Sequence, residues 1–318
     1  MATSIAEAKT GSSNPEVEGL LLFTVDAFTK RPFSGNPAAV CPLEQSLDDD
    51  VRHKIAAEMN LSETAFIERR EEGTTFQTGK SFGLRWFTPV SEVILCGHAT
   101  LASAFVLFSH FGNQNELLSF ETLSGTLYTR KNGDAVTMDL PLYATVHQNE
   151  QQVTNVVQAA IGSLPIQDIR HNTDMKKLLV RLQDSVTSVS EFYIQLGQLE
   201  TMKVDIGAMM AADDGSHVKG VMVTLRGSRQ NHSIDSDGNA YDFVSRYFAP
   251  WVAIPEDPVT GSAHAVLAGY WSTELNKKSL YARQCSPRGG DLHISLRDDG
   301  RVDITGHAVI VMQAKFSL

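Results

Sequence analysis

The chain is poor in the features that would place it quickly. Cysteine is scarce, with only Cys41, Cys96 and Cys285 among 318 residues. An odd, sparse set builds no disulfide framework and fits a reducing compartment. The sequence has no Cys-x-x-Cys pair and no His-Glu-x-x-His segment, so the common zinc signatures do not apply. It also lacks a Walker loop and a Gly-x-Gly-x-x-Gly turn after a strand, which removes the simplest nucleotide-binding readings. No apolar run reaches transmembrane length. Positive charge is in deficit: 27 Lys and Arg stand against 37 Asp and Glu, a formal net charge of −10. With no dense basic stripe to offset it, that balance argues against nucleic acid or an anionic membrane as partner. It leaves anionic small substrates open, because a pocket sets its own local potential.

What is present describes a globular protein. Hydrophobic residues make up 42 % and charged residues 20 % of the chain, enough to bury a sizeable core, and the length fits about two domains. Residues 1–18 are small and polar, with Glu7, Glu16 and Glu18. They lack a secretory core and transit-peptide arginines, so a disordered tail on a cytoplasmic protein is expected. No low-complexity linker divides the rest. Two tightly packed halves with a cleft between them are therefore expected.

Alternation and turn chemistry predict short strands with few helices. Leu20–Phe28 reads as a strand, followed by the turn-rich loop Arg31–Pro37 and a short strand at Ala38–Cys41. Asp48–Met59 has an acidic start and places Val51, Ile55 and Met59 on one helical face. Asn60–Ile67 is a turn feeding a strand, and Phe82–Phe87 is another strand. Ala99–Phe108 is an apolar helix. Strands follow at Glu116–Glu121, Gly125–Arg130 and Asp134–Leu140, the last two joined by the hairpin turn Asn132-Gly133. After a crossover at Pro141, a helix is expected at Val153–Ile161. Strands are expected at Lys177–Leu182, 192–196, Val218–Leu225 and Asp242–Phe248, and a helix at Ala263–Trp271. Strands at Gln284–Arg288, His293–Leu296 and Val302–Ile304, with turns at Gly289-Gly290 and Asp299-Gly300, close the sheet. Ala308–Phe316 supplies one or two more.

Two stretches echo each other. Leu95-Cys96-Gly97-His98-Ala99-Thr100 and Val259-Thr260-Gly261-Ser262-Ala263-His264 both open an apolar helix with a small polar residue and a glycine. Arg85-Trp86-Phe87-Thr88-Pro89 precedes the first and Arg246-Tyr247-Phe248-Ala249-Pro250 the second, about half a chain apart. The same order of signals twice points to two related halves that each bring a helix N-terminus to one shared site. Unpaired N–H groups and the positive dipole end suit a carboxylate or enolate oxygen there. Gly97 and Gly261 are candidates to bind it; alone, each would read as a plain strand-to-helix glycine.

Other side chains join these candidates. Cys96 stands where a helix dipole would activate a thiol, but Thr260 holds the matching place and is a poor base, so a symmetric two-thiol mechanism is broken. The structural alternative is a small buried residue. Glu63, at the edge of an apolar strand, suits general acid–base work or merely caps a turn. Asp257 precedes the second helix and either orients a base, binds a substrate ammonium group or complements the dipole. His98 is placed to bind a substrate oxygen or shuttle a proton. Ser262 opens the second helix, and Asn36 either fixes substrate polar groups or turns the chain before Pro37. His264 is expected to pack, His307 is weaker still, and Gly289-Gly290-Asp291 reads as a turn. Phe33, Trp86 and Trp251 border the cleft or belong to the core.

Taken together, Val25-Asp26-Ala27-Phe28, Ser34-Gly35-Asn36-Pro37-Ala38, Leu61-Ser62-Glu63-Thr64-Ala65-Phe66, Phe87-Thr88-Pro89, Cys96-Gly97-His98-Ala99-Thr100, Asp257-Pro258-Val259-Thr260-Gly261-Ser262-Ala263 and Arg288-Gly289-Gly290 resemble the phenazine-biosynthesis isomerase (PhzF-like) family, relatives of diaminopimelate epimerase and proline racemase. The resemblance runs from about Val25 to Phe316. It implies an α/β (α+β) protein of two similar domains, each a curved, mostly antiparallel sheet or barrel around a central helix. The final strand often returns to the first domain in such folds, giving a unit of 19–140 plus about 306–318 and a second unit of 141–305. It implies proton transfer without pyridoxal phosphate or any other cofactor or metal, and allows a homodimer. Glu63 falls on the family's acid/base position, His98, Asp257 and Ser262 on its other site positions, and Gly97 and Gly261 on its backbone donors. Racemases of the wider group use two cysteines. Thr260 opposite Cys96 therefore favours a glutamate-centred 1,3-proton shift or one-sided epimerisation, with amino-acid racemisation left open.

The expected function is thus an isomerase or epimerase acting beside the carboxylate of a small molecule. The rival from another class is a carboxylate-binding or scaffold protein that shares the fold without turnover. A third reading, a thiol enzyme built on Cys96, predicts rapid alkylation of that residue.

Overall fold

A computed structural model describes residues 19–184, 197–229 and 232–317. The expected tail and the strand expected at 192–196 lie outside them. The first half runs β1 (Leu20–Ala27), β2 (Asn36–Leu43), α1 (Asp49–Met59), β3 (Thr64–Arg69), β4 (Ser81–Phe87), β5 (Glu92–Val93), α2 (Gly97–Ser109), β6 (Leu117–Thr122), β7 (Gly125–Asn132) and β8 (Ala135–Pro141). The second runs β9 (Val146–His147), α3 (Glu150–Ile161), β10 (Ile166–Asn172), β11 (Lys177–Leu182), α4 (Ile206–Ala212), β12 (Gly220–Arg226), β13 (Phe243–Phe248), a 3-10 turn (Pro250–Val252), α5 (Gly261–Leu275), β14 (Ser279–Gln284), β15 (Gly290–Leu296) and β16 (Arg301–Phe316). Among the described residues, no helix is long and apolar enough to cross a membrane.

The strand pairing repeats. In the first half β1–β2 is antiparallel, β2–β3 parallel, β3–β4 antiparallel, β4–β6 parallel, and β6–β7 and β7–β8 antiparallel. The series from β10 through β11, β12, β13, β14 and β15 to β16 follows the same order. Parallel neighbours need a crossover. Helices α1 and α2 supply it in the first half, and the corresponding connections of the second hold α4 and α5. The fold is therefore the one expected, a pair of similar α/β units with curved, mostly antiparallel sheets.

Strand β16 belongs to both series. Its first part pairs with β8 on one edge and β15 on the other, and its last part pairs with β1 from Ala308 to Phe316. That last pairing closes β1, β2, β3, β4, β6, β7, β8 and β16 into a barrel. Helix α2 is apolar nearly all round, as a helix enclosed by a barrel must be. Residues from His98 to Ala104 and from Val106 to Phe108 are buried. Helix α5 is likewise buried along most of its length.

The repeated arginines turn out to be structural. Arg85 Nε lies 2.7 Å from Glu92 Oε1 and its guanidinium 5.1 Å from the Phe87 ring centre. Arg246 repeats this, 2.7 Å from Glu256 Oε1 and 5.0 Å from Phe248. Each clamps the loop that leads into its central helix.

Several expectations need correcting. The strand expected at Gln284–Arg288 ends at Gln284. Beyond it the chain turns, with Gly289 at φ +60°. Arg288 there reaches across to Asp26 (2.6 Å) and to the Gly35 and Ser34 carbonyls. Gly290 is no plain turn residue, because a Cβ there would lie 2.5 Å from Val259 Cγ2 and 2.8 Å from the Phe28 carbonyl. Gly306 does not interrupt β16, which runs unbroken; its missing side chain makes room for Phe28 Cδ1, 2.5 Å from where a Cβ would stand. Strand β10 was not foreseen because Ile166-Gln167-Asp168-Ile169-Arg170-His171-Asn172 is largely polar. It is held by pairing with β11 and by the Arg170–Asp168 contact at 2.8 Å. The short α4 was also unforeseen; Asp205 caps it. Trp86 is core, but Phe33 is 83 % exposed and is not.

Candidate active site

The two echoed stretches meet. A Cβ placed on Gly97 would lie 3.8 Å from Gly261 Cα, and one on Gly261 would lie 3.4 Å from Met138 Cε and 3.8 Å from Phe28 Cζ. The N-termini of α2 and α5 thus face each other across a narrow gap with apolar walls. Their N-caps, Cys96 and Thr260, make no side-chain cap hydrogen bond, and neither first turn holds an acid. The peripheral helices differ: Asn149 caps α3 and Asp205 caps α4 through their side chains. Two uncapped, opposed helix starts present free N–H groups to one small volume.

The turn before β3 brings Glu63 to the start of α2. Glu63 Oε2 lies 3.2 Å from His98 Nε2, yet the two are not aligned as a hydrogen bond and Oε2 keeps no partner. Ser62 Oγ lies 3.3 Å from the same His98 nitrogen, and Cys96 Sγ lies 3.4 Å from His98 Nδ1. Glu63, Cys96 and Asp257 are 6 % exposed and His98 5 %, so the cluster is nearly dry.

The second half contributes Asp257. Asn36 Nδ2 donates to its Oδ1 at 2.7 Å and to the Val259 carbonyl at 2.9 Å. Thr260 Oγ1 donates to its Oδ2, so the hydroxyl that would ordinarily cap α5 is turned to the carboxylate. Burial raises the Asp257 carboxyl above its ordinary range. His98, Thr260 and Asn36 act against that rise, and Glu63 adds to it. Asn36 is thus a brace between the halves, with its Oδ1 left unpaired.

Cys96 follows the alternative of a small buried residue. Burial pushes its thiol well above the ordinary value, and the Glu63 charge pushes the same way. Desolvation and a neighbouring carboxylate outweigh the helix dipole, so the activated-thiol reading is not supported.

Glu63, Cys96 and His98 bring one ligand atom each within 4.8 Å of one another, a donor set that a borderline ion such as zinc accepts. The imidazole stands between the other two and turns a different nitrogen to each. A shared ion would require the ring to rotate.

Sequence reasoning missed three residues. Lys177 opens β11, is 4 % exposed, and donates from Nζ to Ser262 Oγ at 2.7 Å. Gln284 accepts from the Thr260 N–H at 2.9 Å and donates to the Asp257 carbonyl at 2.5 Å. The Tyr247 ring lies 5.0 Å from Lys177 Nζ. The repeat held a signal for Lys177, which opens the second strand of its series as Asn36 does in the first. His264 packs as expected, bonded to the Thr260 carbonyl at 2.8 Å, and burial lowers it to about 4. His307 faces Asp134 at 3.5 Å, with no contact to the cluster.

Comparison with known proteins identifies the family. The family model described as phenazine biosynthesis-like protein matches residues 25–314. A mouse phenazine biosynthesis-like domain-containing protein 1 is 51 % identical, over 92 % of this chain and 98 % of the relative. An uncharacterized isomerase of Pseudomonas aeruginosa is 40 % identical, over 92 % of this chain and 97 % of its own. The crystal structure of a PhzF-family phenazine biosynthesis protein of Enterococcus faecalis superposes with a TM-score of 0.78 at 37 % identity, covering 94 % of this chain and 100 % of that one. With the paired folds, the facing helices and these matches together, the chain belongs to the phenazine biosynthesis-like (PhzF) family.

Proposed function

We propose that the protein is an isomerase or epimerase that moves a proton at a carbon next to the carboxylate of a small molecule, with Glu63 as the acid/base. The observation that carries this reading is a buried carboxylate oxygen with no hydrogen bond, 3.2 Å from the His98 imidazole and close to two uncapped and opposed helix N-termini. Abstraction of the C–H proton by Glu63 leaves an electron pair that spreads onto the substrate's carboxylate. The α2 and α5 N–H groups stabilise that charge, and in a dry site such preorganised dipoles act at full strength. Where a C=C lies next to the reacting carbon, Glu63 returns the proton to its far end and the double bond shifts by one position; otherwise His98 or Asp257 gives a proton to the opposite face of the same carbon, and exchange with solvent resets Glu63 and the donor. These steps use only the protein's own groups. The isomerase name of the bacterial relative supports the reaction class. An amino acid is one substrate of the required kind. The same reading divides the chain into 19–140 with 306–318, and 141–305, with the site at their seam.

The test is deuterium uptake from heavy water into a panel of L- and D-amino acids and related carboxylates, comparing wild type with Glu63→Gln. Uptake by wild type alone supports the proposal. Equal uptake by both proteins removes Glu63 from the reaction. Carboxylate binding without exchange by wild type would favour the non-catalytic alternative.

A further inference from the structure

We propose that Lys177 and Ser262 form the anchor for the substrate's carboxylate, so that the substrate binds with its anionic end toward the second half of the chain and its reacting carbon toward Glu63. The inference rests on the reading of this cleft as a carboxylate site, and it adds a direction and a residue that the reaction alone does not require.

Lys177 is in an unusual position for a cation. It is almost wholly buried, and its amine donates to Ser262 Oγ. Among the described residues, no carboxylate lies within ion-pair distance of it. A buried ammonium without a counter-ion is unfavourable, and Ser262 lies in the first turn of α5, whose dipole presents more positive charge. The neighbouring groups do not relieve this. From β13, Tyr247 is held neutral by burial and the Asp257 charge. From α5, His264 is kept neutral by burial. On β10, Asn172 is occupied by the Ala144 carbonyl and the Met175 N–H, and on β12 the neighbour is Gly220. Asp257 is the anion acting on Lys177 from a distance, and its oxygens are already held by Asn36 and Thr260.

An anionic oxygen would complete this arrangement, accepting from Lys177, the Ser262 hydroxyl and the free N–H groups of α5. The repeat makes the site directional: where the first half offers the amide Asn36, the second offers an amine. Burial brings Lys177 down to about 7 in the empty site. A bound carboxylate favours the charged amine, so binding above neutrality should take up a proton.

The experiment is isothermal titration with malonate, and with malonamide as its uncharged counterpart, at about pH 8 in buffers of differing ionisation enthalpy, where wild type should take up roughly one proton per malonate. Lys177→Met should lose at least about 10-fold in malonate affinity and all of the uptake, with malonamide binding unchanged. Ser262→Ala should bind several-fold more weakly, by rough estimate, yet retain the uptake; with wild type, it decides the matter even if Lys177→Met fails to fold. Proton uptake that survives in Glu63→Gln, although exchange does not, and is lost in Lys177→Met assigns the proton to the amine; the reverse pattern would overturn the proposal. Malonate binding without proton uptake by wild type, no binding at millimolar concentration, or an unaltered Lys177→Met protein would each overturn the proposal.

Discussion

Asn36 Nδ2 lies 2.7 Å from Asp257 Oδ1, a bond between residues 221 positions apart. The same amide nitrogen reaches the Val259 carbonyl at 2.9 Å, so one side chain fixes both ends of the segment that leads into α5. Asn36→Ala should leave buried acceptors unsatisfied at both points. The expected loss is about 2–3 kcal/mol in urea unfolding. A loss below a few tenths would show that water replaces the amide.

Glu63 offers the cleanest separation of chemistry from folding. Its Oε2 makes no hydrogen bond, so Glu63→Gln removes charge with little loss of structure. Exchange of substrate protons should fall by at least ~100-fold, while the thermal midpoint stays within a few degrees. Retained exchange would transfer the base role to His98 or Asp257.

The thiols should be inert in the native protein. All three cysteines are buried, and burial pushes Cys41 and Cys285 up to about 12 and Cys96 well above its ordinary value. Iodoacetamide at mildly alkaline pH should modify none of them until denaturant is added. Fast labelling of Cys96 with loss of activity would restore the thiol mechanism. Mass mapping of labelled peptides tells the cases apart.

Lys177 gives a pH signature. Its folded value of about 7 lies below the ordinary 10.5, so between these two the unfolded chain binds more protons than the folded one. Lys177 should therefore raise stability with pH from about 7 to 9, above which the three buried thiols, able to ionise only in the unfolded chain, act in the opposite sense. Lys177→Met removes the buried cation, and should be as stable or about 1–4 kcal/mol more stable near neutrality, with a flatter profile. Urea unfolding at several pH values checks the sign; a wild-type stability that falls as the pH is raised from neutral would refute it.

Gly306→Ala tests the packing behind the site. The new Cβ would stand 2.5 Å from Phe28 Cδ1 and 3.0 Å from Leu101 Cδ1. Overpacking of this kind costs about 1–3 kcal/mol. Phe28 also borders Gly261, so exchange should weaken along with stability. An unchanged protein on both measures would mean that Phe28 yields freely.

Much of this arrangement was legible in the residues themselves. The two Gly-opened helices showed themselves because a glycine, a small polar residue and an apolar run repeat in order. The hairpin at Asn132-Gly133 and the strands around it followed from local turn chemistry. Lys177 was hidden because a lysine before an apolar strand reads as a solvated edge, and its burial depends on α5 folding over it. Strand β10 was hidden because its polar residues are satisfied by tertiary partners, which no local window contains. Cys96 stayed open between a reactive thiol and a small buried residue because the dipole is a local effect, whereas the opposing desolvation and the Glu63 charge come from elements distant in sequence.

The double pairing of β16 has a consequence for biosynthesis. Residues from Ala308 onward complete the barrel that begins with β1, so β1 must wait for β16, which follows every other strand of the fold. Until then β1 offers an unpaired edge, a template for the wrong neighbour, and the closing contact spans almost the whole polypeptide, a slow step for any folding chain. A nascent chain in which β16 has not yet emerged should therefore keep that edge open, and the arrival of β16, rather than completion of the other strands, should set when the first barrel closes.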